Sequence, residues 1–519
     1  MPMLIYDRRM TRHFREADYA AALQRPITVE EALPPEHLAR WLVTIIAGWD
    51  LAPLYARYEI FGPPPYAPAS LLAILLYGYM TGTISTRALE TATQESLPFR
   101  YLAAFTHPDH TTLARFRQGC LPLVAGFLAQ ALIQARQAGV LAANPVVSVD
   151  GSKIHADASK HHAVSYAHAC TLRDTLLRDT AHLLTLSDAD LLDGMDWVTE
   201  IVLRLEALEH LASALAVLEA RAQERYQAEL ADYQAKLAAR ARRAAVTGRK
   251  PGGRPPRPPS PTPDPTDQYN FTDPDSRVMK NGTNKGFDQH YNAQAAVDQT
   301  SRLIVGYALS NHPNDKGEAT AALDAIPPAV GPPRAAALDT GYLSVANILE
   351  LEARSIIPLI ALGKGEHGLN WRTFHQPREN APPPPGATPM ERVAHALQTA
   401  AGHQIYGQRK STVEPTFGTI KETMGFRQFS LRGLAQVTGE WGLVCLAYDL
   451  KRLSVLLASA KTAMGRACRE FATRIAQFTD SRGSRQPGAG RRRWSAQILA
   501  LAWSGGGLPT GGGRYATSC

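Results

Sequence analysis

The segment 406–434 has residues well suited to chemistry, because a carboxylate lies there among basic side chains. It reads YGQRKSTVEPTFGTIKETMGFRQFSLRGL, and its only acids are Glu414 and Glu422. Its basic residues are Arg409, Lys410, Lys421, Arg427 and Arg432. An acid surrounded by Lys and Arg suits a metal ion that works on a phosphodiester. The competing interpretation is a solvated amphipathic helix with surface ion pairs.

Helical spacing would bring these groups together. On a helix, Glu414 and Lys421 lie two turns apart on about one face, and Arg409 or Lys410 lies about one turn before the acid. A metal ion and a phosphate group could then be bound side by side.

Two further acids follow short apolar runs that predict buried strands. The run 146–149 ends at Asp150, and the run 334–338 ends at Asp339. Active sites of α/β proteins collect at the carboxyl ends of strands, so the two acids and Glu414 could meet at one point. Hard divalent cations prefer such oxygen ligands. The alternative is that each Asp is an ordinary turn residue beside glycine.

The order of elements predicts a mixed sheet with helices on its faces. After the strand at 146–149 and a long insertion, a hairpin is expected at 289–297 and 303–309. Helices at 316–326 and 345–352 then alternate with strands at 334–338 and 355–361. Alternation of this kind indicates an α/β fold.

The first 140 residues show apolar residues at helical spacing and predict a compact all-α domain. Within it, HPDHTTLARFRQ lets Asp109 or Thr111 cap a helix that presents Thr112, Arg115 and Arg117. A short capped helix after a tight turn is typical of a helix-turn-helix that contacts the DNA major groove. An ordinary capped helix of a bundle would look the same.

Composition favours an acidic partner in a reducing compartment. The chain has 519 residues and a formal charge of +8. Eight Lys and Arg and no acid lie between Asp232 and Asp264, and no acid follows Asp480. The five cysteines show no CxxC pair, which argues against a structural zinc site. With a charged amino terminus and no run of ~20 apolar residues, we expect a cytoplasmic protein without membrane contact.

Several motifs, in order, resemble those of the DDE transposases of bacterial insertion sequences. They are DGSKIHADAS from Asp150, FTDPDSRVMKN at 271–281, GFDQHYNAQAAVD at 286–298, NDKGE at 314–318, LDTGY at 338–342 and RKSTVEPTFGTIKETMGFRQFSLRGL at 409–434. More narrowly, the chain resembles the group numbered eleven-eighty-two, which is related to the groups numbered four and five. The similarity covers roughly 33–457.

The resemblance implies a ribonuclease-H-like core in which Asp150, Asp339 and Glu414 are catalytic and bind Mg²⁺, or Mn²⁺ in its place, as two ions. It implies cleavage at transposon ends and transfer of the freed 3′-hydroxyl into target DNA, without a covalent protein intermediate. Double-stranded DNA is the expected partner, bound by a homo-oligomer near the nucleoid.

The resemblance also implies a signature of tyrosine, basic residue, glutamate and lysine. Tyr406, Glu414 and Lys421 fit it. Arg409 keeps the usual distance from Tyr406, whereas Lys410 keeps the usual distance from Glu414, so both stay candidates for the phosphate contact. Arg427 would continue the DNA track.

We therefore predict four segments. They are a helical DNA-binding domain at 1–140, a catalytic domain at 141–164 and 269–460, a helical insertion with a Pro/Arg-rich linker at 165–268, and a basic, disordered Gly/Arg-rich tail at 461–519. Open alternatives are an inactive or domesticated DNA-binding descendant and a ribonuclease-H-like nuclease without strand transfer.

Other polar residues have weaker patterns. A transition-metal site at His155, His161 and His162 is disfavoured, since surface histidines explain them as well. Asp273 and Asp275 fit a capped turn. Asn292 and Gln294 alternate on one strand face, where they could orient a group in the site.

Overall fold

The computed structural model describes most of the chain, with residues 460–480 as backbone only. The described stretches are 28–58, 65–185, 196–249, 252–280, 286–362 and 379–480. The chain divides into two compact units, Met1–Leu456 and Leu457–Cys519.

The first part of the chain is helical, as the sequence predicts. Its α-helices are α1 (Val29–Ala32), α2 (Leu38–Ala47), α3 (Ala52–Tyr55), α4 (Pro68–Thr81), α5 (Thr86–Glu95), α6 (Leu97–Leu102), α7 (His110–Cys120) and α8 (Val124–Gln137). Every residue of α4 from Leu71 to Met80 is buried, which explains why this helix is apolar on all sides. It ends at Gly82, whose φ of +86° favours glycine.

One stretch of this part, His110–Gln137, is long and apolar enough to cross a membrane by length and composition alone. It comprises α7, a 3₁₀ turn at Leu121–Leu123, and α8. Half of it is buried inside the structure, as the core helices of soluble proteins are. The stretch is therefore weak evidence for a membrane span.

A mixed sheet follows, and it confirms the expected α/β architecture. The strands are β1 (Val146–His155), β2 (Ala163–Ser165), β3 (Gln268–Asn270), β4 (Arg277–Lys280), β5 (Phe287–Asp298), β6 (Ile304–Ser310), β7 (Ala335–Leu338) and β8 (Ile357–Ile360). The sheet has the order β4-β5-β1-β7-β8, and β6 also pairs with β5. β1, β7 and β8 are parallel, whereas β5 is antiparallel to β1, β4 and β6.

β1 is longer than the sequence predicts. It continues past Asp150 to His155, because its second half pairs with β5 beyond the end of β7, and His155 also forms a parallel bridge with Gln428. Asp150 therefore lies within the strand and not at its end, although the parallel pairing of β1 with β7 stops at Ser148. The sequence pattern missed this because Gly151, Ser152 and Lys153 interrupt the apolar run.

The insertion consists of α9 (Tyr166–Leu183) and α10 (Trp197–Thr247), which pack against each other. A short antiparallel ribbon of β2 and β3 closes its base. The returning Pro-rich segment has no helix or strand from 252 to 267, but Pro263 is buried. Arg225 of α10 binds Asp267 at 2.9 Å, which holds this segment against the helix.

The remaining helices are α11 (Ala319–Asp324), α12 (Val345–Ala353), α13 (Pro389–Gln398), α14 (Ala400–Gly407), α15 (Arg409–Gly418) and α16 (Leu434–Asp480). α16 continues twenty residues into the segment predicted to be disordered, because 461–480 contains a single glycine and no proline. The part of the predicted tail beyond Asp480 lies outside the described residues.

The segment 406–434 is not one helix. α14 and α15 meet near Gly407, Pro415 lies inside α15, and a π-helical turn follows at Thr419–Thr423. Proline removes a backbone donor, and π turns commonly accommodate such irregularities. The chain then leaves the helix at Gly425, whose φ is +68°.

A buried carboxylate joins the first helices to the later part of the same unit. Glu440 of α16 is fully buried. It accepts hydrogen bonds from the Tyr79 hydroxyl at 2.9 Å and from the backbone N–H groups of Ser430 and Leu431 at 3.0 Å each. Arg117 donates to Ser430 Oγ at 3.1 Å. Because a buried charge needs such partners, the network fixes how α4 and α7 lie against α16.

We predict that Glu440→Leu destabilises the protein by about 2–5 kcal/mol, because it leaves several buried donors without an acceptor. Tyr79→Phe removes a single hydroxyl and should cost only about 1 kcal/mol. Urea unfolding of both variants measures the difference. Equal losses would show that the carboxylate does not organise this contact.

Candidate active site

Asp150, on β1, and Asp339, directly after β7, lie at the same height along these neighbouring parallel strands. The last pair between β1 and β7 joins Ser148 to Ala337, and each acid comes two residues after its member of that pair. Neighbouring strands are ~4.8 Å apart, and alternate residues share a face. The fold therefore brings together two of the three acids predicted from sequence.

The turn after β7 orients Asp339. This residue caps the 3₁₀ turn Thr340–Tyr342, and its Oδ1 accepts the Gly341 N–H at 2.7 Å. Asp339 can thus cap the turn and also bind a metal ion, because only one of its carboxylate oxygens accepts this hydrogen bond.

Asp150 is held in a largely desolvated position. Its carboxylate accepts a hydrogen bond from Arg409 Nη1 at 3.2 Å, and the Arg409 side chain is only 9% exposed. Burial raises the pKa of Asp150 to about 6; the Arg409 guanidinium opposes this shift, whereas the Asp339 and Asp315 carboxylates add to it. The site thus concentrates negative charge at one point, with Arg409 as a cation in direct contact.

One face of β1 lies against the helical segment that runs from α14 through α15 to the π turn. Ser148 Oγ accepts from Gln299, which also donates to the Ile405 carbonyl of α14. Asp150 contacts Arg409 of α15, and Ser152 Oγ accepts from Lys421 Nζ at 2.6 Å. These alternate strand residues therefore contact the segment in chain order, directly or through Gln299, from α14 to the π turn.

Glu414 lies on α15 between those contacts in sequence, but its side chain is exposed. In the part of the chain that the structure describes, its side chain makes no hydrogen bond or ion pair, with Asp150 or with any other residue. Helical spacing puts it on the same side of α15 as Lys410, four residues earlier, which is also exposed. The third acid thus lies near this face of the sheet without joining the other two.

The two candidate basic residues lie on different sides of α15. Arg409 is buried against Asp150, whereas Lys410 faces solvent. Tyr406 is buried as well, and burial raises its pKa; Arg409 opposes that shift, and the Asp339 and Asp150 carboxylates add to it. Tyr406 and Arg409 therefore lie on the buried side of the helical segment, next to Asp150 and Asp339. Lys410 lies on the exposed side, as Glu414 does.

Lys421 extends from the π turn to β1. Besides Ser152, its ammonium group donates to the Lys153 carbonyl at 3.2 Å. Burial lowers its pKa, and nearby Arg427 lowers it further. Arg427 is exposed and pairs with Glu422.

The three candidate DNA-contacting residues of the helical domain have different environments. The Thr112 hydroxyl and N–H both bond to the capping residue Asp109, and Arg115 is exposed on α7. Arg117 lies in the interior, 7% exposed, and donates to Ser430. Its guanidinium is therefore engaged in packing between α7 and the later chain, unlike the surface position that the sequence indicated.

The weaker candidates take structural positions. His155 packs against His290 with ring centroids 4.3 Å apart, and His162 bonds to Thr272 Oγ1 at 2.9 Å. Asp273 is buried and accepts from Tyr291, and Asp275 accepts the Leu434 N–H. The two aspartates thus anchor the start of α16.

Asp315 is a residue of this region that the sequence reasoning missed. It lies in the loop between β6 and α11, and its Oδ1 accepts from Asn292 Nδ2 at 2.7 Å and Gln294 Nε2 at 3.0 Å. The NDKGE motif contained it, but nothing in the local pattern distinguished it from a loop acid. The expected orienting role of Asn292 and Gln294 is consistent with these bonds.

The donor atoms suit a hard divalent cation. Asp150 and Asp339 offer carboxylate oxygens side by side, and hard cations prefer oxygen ligands. Asn292 Oδ1 is buried without a hydrogen-bond partner among the described residues. Within those residues, no group of three or more His, Cys, Asp or Glu side chains is placed so that it could hold a metal ion.

We predict that Asp150→Asn stabilises the protein at pH 7.5, measured with a chelator present. The folded pKa of about 6 exceeds the ordinary aspartate pKa of 3.8, so folding favours the protonated acid and stability is lost as pH rises from about 4 to about 6. The variant should gain ~1–3 kcal/mol at pH 7.5 and much less near pH 5. Thermal unfolding across pH measures the gap; a constant or reversed gap would contradict the prediction.

Comparison with known families gives two matches along the chain. A family model described as Transposase domain (DUF772) matches residues 27–119, and one described as Transposase DDE domain matches residues 260–450. The second match contains Asp339 and Glu414, whereas Asp150 lies outside it on β1, the strand next to β7. No similar curated protein and no similar solved structure was found. A DDE domain implies a ribonuclease-H-like fold, and the two matches together support a DNA transposase of the DDE type.

Proposed function

We propose that the protein cleaves DNA at the ends of an insertion sequence and joins the freed 3′-hydroxyl to target DNA. The observation that carries this proposal is the position of Asp150 and Asp339 at one height on β1 and β7, with Arg409 against Asp150. We assign this insertion sequence to the group numbered eleven-eighty-two, because the motifs described in the sequence analysis resemble those of that group.

Asp150, Asp339 and Glu414 would hold divalent cations, Mg²⁺ or Mn²⁺, as two ions. Bound there, such ions supply Lewis acidity for an in-line displacement at phosphorus. Glu414 completes the set by a movement of its exposed side chain, or of α15, when DNA binds. This movement is consistent with the side chain's freedom from hydrogen bonds and ion pairs in the described residues.

Arg409 has two tasks in this proposal. It offsets the repulsion between the acids before DNA arrives, and it contacts a phosphate near the scissile bond afterwards. Its buried Nε makes no hydrogen bond within the described residues, so one donor is available for a second acceptor. Guanidinium groups bind phosphate with two donors, which suits this position better than a lysine would.

Exposed cations guide the DNA towards the acids. Lys410 and Arg427 would contact the backbone near the site, and Tyr406 and Lys421 would orient the strand close to the cleaved bond. On the helical domain, Thr112 and Arg115 are candidates for contacts with the terminal repeats. Arg117 would support α7 from within.

The chemistry itself needs no covalent enzyme intermediate. Water forms a new bond to phosphorus while the bond to the 3′-oxygen breaks, and this oxygen leaves as a hydroxyl. The same hydroxyl then attacks a target phosphodiester and displaces its 3′-oxygen. Two DNA ends must be held together for joining, so we expect the protein to form a homo-oligomer on DNA. We expect it to act in the cytoplasm, beside the nucleoid.

We predict that Asp150→Ala abolishes both end cleavage and joining in an assay with the element's ends, a target plasmid and Mg²⁺. The control variant is Asp174→Asn. Asp174 is an exposed acid of the insertion, and it pairs with Arg173. Gel analysis of labelled ends measures both steps. Equal activity of wild type and Asp150→Ala would refute the assignment of Asp150.

The same assay separates the alternatives. Cleavage without joining would indicate a ribonuclease-H-like nuclease. Specific binding of the ends without cleavage would indicate an inactive descendant.

We predict different defects for the two neighbouring basic residues. Lys410→Ala should weaken DNA binding and lower the salt slope by about one, because it removes one exposed phosphate contact. Arg409→Lys should slow cleavage at least about tenfold with the salt slope unchanged, because a single ammonium replaces the two-donor guanidinium. Fluorescence anisotropy across salt and single-turnover cleavage measure these effects; exchanged phenotypes would reverse the assignment.

A further inference from the structure

A third aspartate lies beside the pair formed by Asp150 and Asp339. Asp315 is fixed by two amide donors from β5, Asn292 and Gln294, and both bind its Oδ1. We call these three residues the Asp315 cluster. Two neutral donors on one oxygen orient the carboxylate without neutralising its charge.

The cluster lies against the backbone next to Asp150. A Cβ atom on Gly151 would lie 2.9 Å from Asp315 Oδ1 and 3.0 Å from Asn292 Oδ1. A side chain at this position would have to displace these groups, so glycine lets the cluster approach β1 without any displacement. Gly151 follows Asp150 directly, and its N–H donates to Asp150 Oδ1 at 2.9 Å.

The other oxygen of Asp315 faces the turn that carries Asp339. A Cβ atom on Gly341 would lie 3.6 Å from Asp315 Oδ2 and 2.9 Å from Asp339 Oδ1. Tyr342, in the same turn, donates its hydroxyl to Gln294 Oε1. Asp315 is thus connected to the backbone beside both acids.

A separate observation points to a ligand here. Asn292 is fully buried, and its Oδ1 has no hydrogen-bond partner in the described residues, although its amide nitrogen is bonded. This oxygen is directed at Gly151, beside Asp150. A buried acceptor without a donor is costly, and a bound cation or its hydration water would supply what is missing.

We propose that Asp315 is a further acidic residue of the active site that positions and strengthens the binding of a divalent cation between Asp150 and Asp339. Its negative charge adds to theirs, and Asn292 Oδ1 offers a neutral oxygen to the cation's hydration shell. This role rests on the proposed function, since it presumes that the acidic pair binds a cation. It also requires that the pair binds the cation before DNA arrives.

The test is Mn²⁺ binding to the full-length protein without DNA, measured by electron paramagnetic resonance. We expect Asp315→Asn to weaken Mn²⁺ binding about 10–100-fold, as the loss of outer partners does at metal sites. Asp315→Glu, which keeps the charge, should restore part of the affinity. Asp174→Asn should bind as wild type does.

Stability in the presence of a chelator distinguishes this role from a merely structural one. If Asp315 serves the cation, Asp315→Asn should unfold at the same or a higher temperature, because it relieves repulsion among three carboxylates. A lower unfolding temperature together with unchanged Mn²⁺ affinity would assign Asp315 to structure alone and overturn the proposal. Absence of Mn²⁺ binding by the wild type would overturn it too.

The outcomes remain separable from those of the transposition assay. If wild type cuts and joins DNA while Asp315→Asn binds Mn²⁺ normally, only the role of Asp315 fails. If Asp150→Ala cuts DNA as well as wild type does, the proposed function fails irrespective of Asp315.

Discussion

Three residue pairs between β1 and β7 set the height at which Asp150 and Asp339 lie. Because the strands are parallel and only ~4.8 Å apart, equal steps beyond the last pair bring the two carboxylates side by side. Burial is the main reason that the pKa of Asp150 is raised, and the Asp339 carboxylate adds to this shift, so two ionised carboxylates are unfavourable here. Arg409 offsets part of the repulsion, and its position depends on the whole path from α14 to the π turn. The other groups of the site, such as Arg409 and the Gly151 and Gly341 N–H groups, contact one or the other of these two acids.

β1 also determines which parts of the late segment reach the acids. Asp150 and Ser152 contact α15 and the π turn directly, and Ser148, on the same face, is connected to α14 through Gln299. Pro415 and the π turn change the helical phase between Arg409 and Lys421, so both basic side chains reach β1 while Glu414 between them faces solvent. The irregular helix thus presents one side to the sheet and the opposite side to solvent.

Sequence patterns predicted most elements of the fold, because apolar periodicity reports burial directly. The hairpin of β5 and β6 and the buried strand β7 follow from their alternation and length. The extension of β1 beyond Asp150 could not be predicted, since its polar residues are satisfied by β5 and Lys421, which are distant in sequence. The regular helical spacing assumed for 406–434 was wrong, because Pro415 and the π turn interrupt the helix.

Prediction of the site was similarly partial. Asp150 and Asp339 could be located because each follows an apolar run, and the family motifs named them together. The burial of Arg117 could not be foreseen, because its partner Ser430 lies over three hundred residues away. Asp315 was hidden for the same reason, since only the folded chain brings it to Gly151 and Gly341.

The most direct measurement of the central claim is a double-mutant cycle of unfolding free energies for Asp150→Asn and Asp339→Asn, made in chelating buffer. If the two carboxylates share one site, removing either relieves the repulsion felt by the other. The double variant should then gain less stability than the sum of the single gains, by at least ~0.5 kcal/mol. Additive gains would contradict the account, because they would mean that the two acids do not interact.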